Sequence, residues 1–186
     1  MRSAMLFALL LAPALVRAQN IAVPAPAPSA TPAAAANNSP IVPADRLIPL
    51  LPPPPAGWSC DKPEGSTAES DDGQITTVGN TYVKGDADDA PTATINIIDS
   101  ANNQQFQDAT KAMWSATSNT PEGYDKAVTV NGLPGFEHFT NADQTGVLWV
   151  IVAGRFFVQV ETTHQPASGL EGWINLIDLK KLATLR

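Results

Sequence analysis

Cysteine and histidine are the scarcest chemistry-bearing residues of this chain: Cys60, His138 and His164 are the only ones among 186 positions. A single thiol excludes an internal disulfide framework and every cysteine-cluster metal site. Two imidazoles leave little from which to build a histidine-ligated zinc centre. Positive charge is short as well, with eleven Lys and Arg against eighteen Asp and Glu and a net charge of −7. Without a basic footprint to neutralise phosphates, nucleic acid is not an expected partner. No GxSxG elbow, GxGxxG or Walker loop, or HExxH pair occurs in the sequence, so no catalytic constellation is visible and no cofactor is implied.

What the chain does have is a series of unlike segments. Residues 1–18 carry Arg2 near the start, an apolar run from Ala4 to Val16, and small residues Val16 and Ala18 just before Gln19. These are the parts of a secretory signal peptide with its cleavage site. The run contains Pro13 and falls short of the roughly 20 residues that span a bilayer. The expectation is export to the periplasm or beyond, with no stable membrane span once the signal is removed. From Gln19 to Ala44 there is no charged residue, and six prolines and nine alanines fill much of the segment. Repeated Ala-Pro steps favour an extended polyproline-like rod, either a spacer or a leader without a further role.

Charge resumes at Asp45, and 45–186 reads as a single domain. Leu47-Ile48-Pro49-Leu50-Leu51 is too apolar for a free linker, and Pro52 to Pro55 lead stiffly to Gly57-Trp58, so 47–58 reads as a strap packed on the domain. Gln74–Lys84 and Thr92–Ile98 are rich in β-branched residues and flank the turn composition 85–91, which predicts a hairpin. Lys126–Val130 and Gly135–Thr140 flank Asn131-Gly132, a pair suited to a tight turn; Val147–Val152 and Phe156–Thr162 flank Ala153-Gly154-Arg155. Phe106, Ala109, Met113 and Ala116 recur at helical spacing, and Ser168-Gly169-Leu170-Glu171 has the form of a capping box before Trp173, Ile174 and Ile177. A break at Asp178 would let that residue cap a short last helix. The expected fold is α+β: an antiparallel sheet of about six strands, β-β-α-β-β-β-β-α, with two main helices packed on it. Strand 147–152 is apolar on both sides, so the helices are expected to cover one face and the strap, or a partner protein, the other.

Several residues are candidates for chemistry. An antiparallel first hairpin would bring Asp99 back beside Asp71 and Asp72, a grouping that invites a calcium ion, although its spacing is not that of an EF-hand loop. Solvated turns, and a helix-capping role for Asp99, account for the same residues. His138 shares a strand face with Phe136 and Thr140, and His164 follows the last strand. Cys60 could serve as a nucleophile only beside a histidine in an electropositive pocket, and its neighbours Asp61 and Glu64 are acidic. An unpaired thiol in an exported chain can also bridge to another molecule. Trp58, Trp114, Trp149 and Trp173 are core candidates, and exposure of Trp58 or Trp114 would make a sugar-stacking platform.

The run Val128-Thr129-Val130-Asn131-Gly132-Leu133-Pro134-Gly135-Phe136, the apolar hairpin 147–160 and a closing helix resemble the arrangement in PsbP-like proteins. That superfamily includes a photosystem accessory protein, a nuclear factor binding the GTPase Ran, and mycobacterial envelope lipoproteins. Region 57–186 also resembles uncharacterised exported bacterial proteins with a Leu-Leu-Pro…Gly-Trp opening and an Ile-Asp-Leu-Lys-Lys-Leu ending. The resemblance implies an α+β accessory domain and maps no binding residue onto this chain. The first functional expectation is therefore an exported, non-enzymatic accessory or binding domain that meets a protein of the cell envelope. A small-molecule or glycan-binding module is the alternative, and a hydrolase built from Cys60 with His138 or His164 is a third.

Overall fold

The computed structural model describes residues 40–186 apart from 72, 102 and 116. The expected signal peptide, residues 19–39 of the expected spacer, Asp72 and Ala116 lie outside the described residues. The described chain forms one antiparallel sheet of nine strands: β1 Ser59–Cys60, β2 Glu64–Ser70, β3 Gly73–Val83, β4 Thr92–Asp99, β5 Ser118–Thr120, β6 Gly123–Val130, β7 Leu133–Thr140, β8 Thr145–Val152 and β9 Phe156–Thr163. Across the sheet the order is β1, β3, β4, β9, β8, β7, β6, β5, with β2 following β1 along the outer edge of β3. Two meanders, β2 to β4 and β5 to β9, are thus welded through the β4–β9 ladder. The helices are α1 Ala44–Leu47 with a 3-10 turn at Ile48–Leu50, α2 Gln104–Met113, α3 Ser168–Ile174 and α4 Leu179–Ala183.

This corrects the expected architecture: the sheet has nine strands rather than about six, and four short helices stand where two main ones were expected. The missed strands are edges. β2 reads EGSTAES and β5 reads SNT, and residues 64–69 and 118–120 are all exposed. They are held by backbone ladders to β3 and β6 and bury no face, so they carry no apolar alternation for periodicity to detect. The expected hairpins are present, with Asn131 and Gly132 at φ 52° and 81° and Ala153 and Gly154 at 53° and 71°, the positive-φ pair that a two-residue hairpin turn demands.

One face of the sheet is thoroughly covered. Val42 extends the packed strap beyond the expected 47–58, and with Leu47, Leu50 and Leu51 it packs with Leu170, Trp173, Ile174, Ile177, Leu179 and Leu182 of the C-terminal segment over Val78, Ile95, Ile97, Leu148, Val158 and Val160. Each fully buried aliphatic side chain of this kind contributes about 1.5–3 kcal/mol. Trp173 is the wedge, with its ring 4.8 Å from Trp58 and 4.9 Å from Tyr82. The Tyr82 hydroxyl donates to the Pro52 carbonyl at 2.7 Å and pins the proline run. Strap and C-terminal helices therefore share a face instead of covering opposite ones.

Among the described residues, the second face receives only α2, over Ile98, Ile151 and Phe157. Here the apolar stripe does not decide how the helix sits. Met113 is 72% exposed and Ala109 is exposed, while Gln107 and Thr110 are buried. Gln107 Nε2 donates to the Ser100 carbonyl at 2.9 Å and Asn103 Oδ1 accepts from the Phe106 N–H at 2.8 Å. Polar side chains with partners of that quality can be buried without penalty, and they turn the helix away from its hydrophobic phase. The capping box is also unused: α3 starts after Ala167 with no side-chain cap. Asp178 does cap α4, accepting from the Lys181 N–H at 2.8 Å.

Candidate functional site

Because side chains alternate across a sheet, residues in register on the second face line up as rows running across the strands. The row nearest α2 that is not buried runs Phe136, Trp149, Gln159, Asn96, Gly79, Glu64. The next runs Asp125, His138, Val147, Glu161, Thr94, Thr81. One end of this open face is aromatic and the other carries hydroxyls and amides. Phe136, Trp149 and Trp114 are half-buried, and the Trp114 ring lies nearly parallel to Phe136 at 9° and 6.5 Å between centroids.

The polar part is knitted together. Asn96 Nδ2 donates to Gln159 Oε1 at 3.4 Å, and Gln159 Nε2 in turn donates to Glu161. The Thr81 and Thr94 hydroxyls are 3.0 Å apart. Gly79 makes room for this arrangement, since a Cβ there would lie 2.2 Å from Asn96 Oδ1. Beside the amides a cleft of about 450 Å³ opens between Lys62, Glu64 and Ser66 on one side and Thr77, Thr94 and Asn96 on the other. Its walls offer both donors and acceptors, with acidic and basic groups side by side, and suit an uncharged polar ligand.

At the opposite margin, Asp125 Oδ1 and His138 Nδ1 are 2.7 Å apart, and Ser118 Oγ donates to the other carboxylate oxygen at 2.6 Å. The Ser118 hydroxyl, and after it His138, hold the Asp125 carboxyl below the usual carboxylate range. The Thr140 hydroxyl stands 3.4 Å from His138 Nε2. With the imidazole 49% exposed, this series is a water-facing cross-strand pairing, in which the solvent screens the charges.

The other sequence candidates are dispersed. Cys60 is half-buried opposite Tyr82 on the covered side of β1, whereas His138 is on the open side of β7, five strand positions away, or about 24 Å. His164 follows β9, three strand positions from Cys60, or about 14 Å. The structure brings neither histidine to the thiol. Burial, and after it the neighbouring Cys60, push the Tyr82 hydroxyl up to about 12. Trp58 packs edge-on against Trp173 and belongs to the covered face. Asp71 is exposed, and Asp99 pairs with Thr76, about 16 Å further along the strand, so the expected Asp71–Asp99 grouping does not form. Among the described residues no three His, Cys, Asp or Glu side chains gather to hold a metal.

Asp99 instead forms a buried junction. It is 0% exposed and Arg155 8%. Its carboxylate accepts from the Val42 N–H at 2.7 Å, the Ala101 N–H at 3.1 Å and Arg155 Nε at 3.0 Å, with a further bond from Arg155 Nη2. Arg155 Nη2 also donates to the Pro40 carbonyl at 3.1 Å. The only sequence signal for this pair is a lone arginine at a hairpin turn. Asn96, Gln159, Thr94 and Glu161 were equally inconspicuous, being the polar members of strands read for their apolar ones. No protein-family model, curated protein or solved structure matches the chain. Among the described residues no helix is long and apolar enough to cross a membrane.

Proposed function

We propose that the chain is an exported, non-enzymatic binding domain that seats an uncharged, hydroxyl- and amide-rich ligand, of the small-molecule or glycan class, on the open face of its sheet. The observation that carries this reading is the unequal treatment of the two faces. One is sealed by strap and helices, while the other presents an aromatic end, an Asn96–Gln159 amide pair and a cleft beside it. Half-buried aromatic rings supply apolar area for the pyranose face of a sugar, and amides and hydroxyls satisfy its rim. The test is a tryptophan-fluorescence titration with N-acetylglucosamine oligomers. A saturable change, weakened about tenfold in Asn96→Leu by the loss of one hydrogen-bonding side chain, supports the reading; a flat titration refutes it.

A second reading, docking to a basic protein of the envelope, is favoured by the turn between β3 and β4, where Asp86, Asp88 and Asp89 are all exposed. Opposite charge at such a rim steers association more than it adds affinity. Crosslinking in the native envelope should then trap one partner in a salt-sensitive manner. Capture that is indifferent to Asp86→Lys and Asp89→Lys would remove this reading.

A further inference from the structure

The junction at Asp99 joins more than the strap. Ser100, the next residue, donates its N–H and its hydroxyl to the Arg155 carbonyl at 3.2 and 3.0 Å. Its own carbonyl accepts from the Asn103 N–H and from Gln107 Nε2, both at 2.9 Å. Asn103 caps α2 and Gln107 lies in its second turn, and all five side chains from Asp99 to Arg155 in this chain of bonds are buried. Phe106 of α2 and Trp114, its C-cap, stand edge-on to Phe157 at 5.3 and 6.4 Å, and Trp114 borders Phe136 on the open face. A run of hydrogen bonds, buried from Val42 to Gln107, thus leads from the strap to the start of α2, and ring packing continues it to the aromatic end of the open face.

We infer that this junction couples the strap to α2, so that seating of Pro40–Val42 sets how firmly the aromatic end of the open face is held. The physical reason is that every acceptor position of Asp99 and the shared Nη2 of Arg155 are committed. When the strap lifts, Val42 N–H and the Pro40 carbonyl leave, and two buried ions each lose a partner in a dry site where bonds polarise one another. The ion pair then recovers partners by shifting toward water. The Arg155 carbonyl moves with it, loosening Ser100, and through Ser100 the cap and the buried glutamine of α2. Asn103 N–H and Gln107 Nε2 both meet the Ser100 carbonyl, so the movement reaches the start of the helix. The consequence for ligand affinity rests on the open face being the ligand seat; the coupling itself does not.

The test uses the full chain with Val42→Pro, which removes the strap's N–H to Asp99 together with a buried valine side chain and changes no residue of α2. Hydrogen exchange should rise in the strap, 44–51, and also in 104–113, by about five- to tenfold, the equivalent of one buried hydrogen bond. Gln107→Leu cuts the same path from the far side, and because coupling is reciprocal it should raise exchange in 44–51. A strap that opens while 104–113 keeps its protection overturns the inference, as does a Gln107→Leu chain with an unchanged strap. In parallel, the affinity for an N-acetylglucosamine oligomer should fall in Val42→Pro. Raised exchange in 104–113 with no oligomer binding in either chain would uphold the coupling and refute the ligand seat.

Discussion

Replacing Asp99 by alanine is the most severe single change the structure offers outside the apolar core. The substitution removes the carboxylate from a site with 0% exposure and leaves Arg155, 10% exposed in its side chain, without its counter-ion. It also strips the Val42 and Ala101 N–H groups of their acceptor. Breaking one side of a buried pair costs about 3–5 kcal/mol, most of it the penalty of an uncompensated charge. For a domain of this size about 1 kcal/mol moves the midpoint of thermal unfolding by roughly 3–4 °C, so a drop on the order of 10–20 °C is expected. Unfolding followed by near-ultraviolet circular dichroism reads it directly. The double variant Asp99→Leu with Arg155→Met should recover most of the loss, since an ion pair exchanged for apolar side chains of similar volume is close to neutral. A single variant within about 1 kcal/mol of the parent would refute the account of the junction, and a double variant as unstable as the single one would show that the charge is not what the site lacks.

Other positions give milder outcomes. Tyr82→Phe loses the bond to the Pro52 carbonyl and should cost about 1 kcal/mol in denaturant unfolding. The Tyr82 hydroxyl titrates near 12 in the fold, raised from 10; the folded state therefore favours the protonated form, and stability present below pH 10 should be lost as pH rises toward 12. Alkaline unfolding curves that are identical for parent and Tyr82→Phe would contradict this. The Thr162 hydroxyl is buried with no partner among the described residues, so Thr162→Val should be neutral or stabilising by up to about 1 kcal/mol, and a clear loss would reveal a hidden partner. Gly79→Ala places a Cβ 2.2 Å from Asn96 Oδ1, which displaces that amide from its place beside Gln159 and should cost no more than about 1 kcal/mol of stability. It should also weaken oligomer binding, and unchanged affinity would remove Asn96 from the seat.

The sequence made the central hairpins legible because their apolar alternation and their positive-φ turns are local signals. Asn131-Gly132 and Ala153-Gly154 mark their turns before any tertiary contact is known. β2 and β5 were invisible for the converse reason, since a strand that pairs at an edge and buries nothing has the composition of a loop. The phase of α2 departs from its apolar stripe because Gln107 and Asn103 outcompete Ala109 and Met113, and their partner, the Ser100 backbone, is not a sequence feature. For Asp99 the sequence offers a grouping with Asp71 and Asp72 or a helix cap, whereas its decisive contact is with Arg155, 56 positions along the chain. The open face was hidden in plain alternation: Thr94 and Asn96 in β4 and Gln159 and Glu161 in β9 are the ordinary polar half of a strand. Only the register that places Asn96 opposite both Gln159 and Gly79 turns them into a surface.

The ligand seat is tested most directly by mapping backbone and side-chain amide resonances during titration with an N-acetylglucosamine oligomer. The account requires the shifts to cluster on Thr94, the Asn96 and Gln159 side-chain amides and the Trp149 indole, with Trp58 and Trp173 on the covered face unmoved. Shifts confined to the covered face, or none at saturating oligomer, would contradict it.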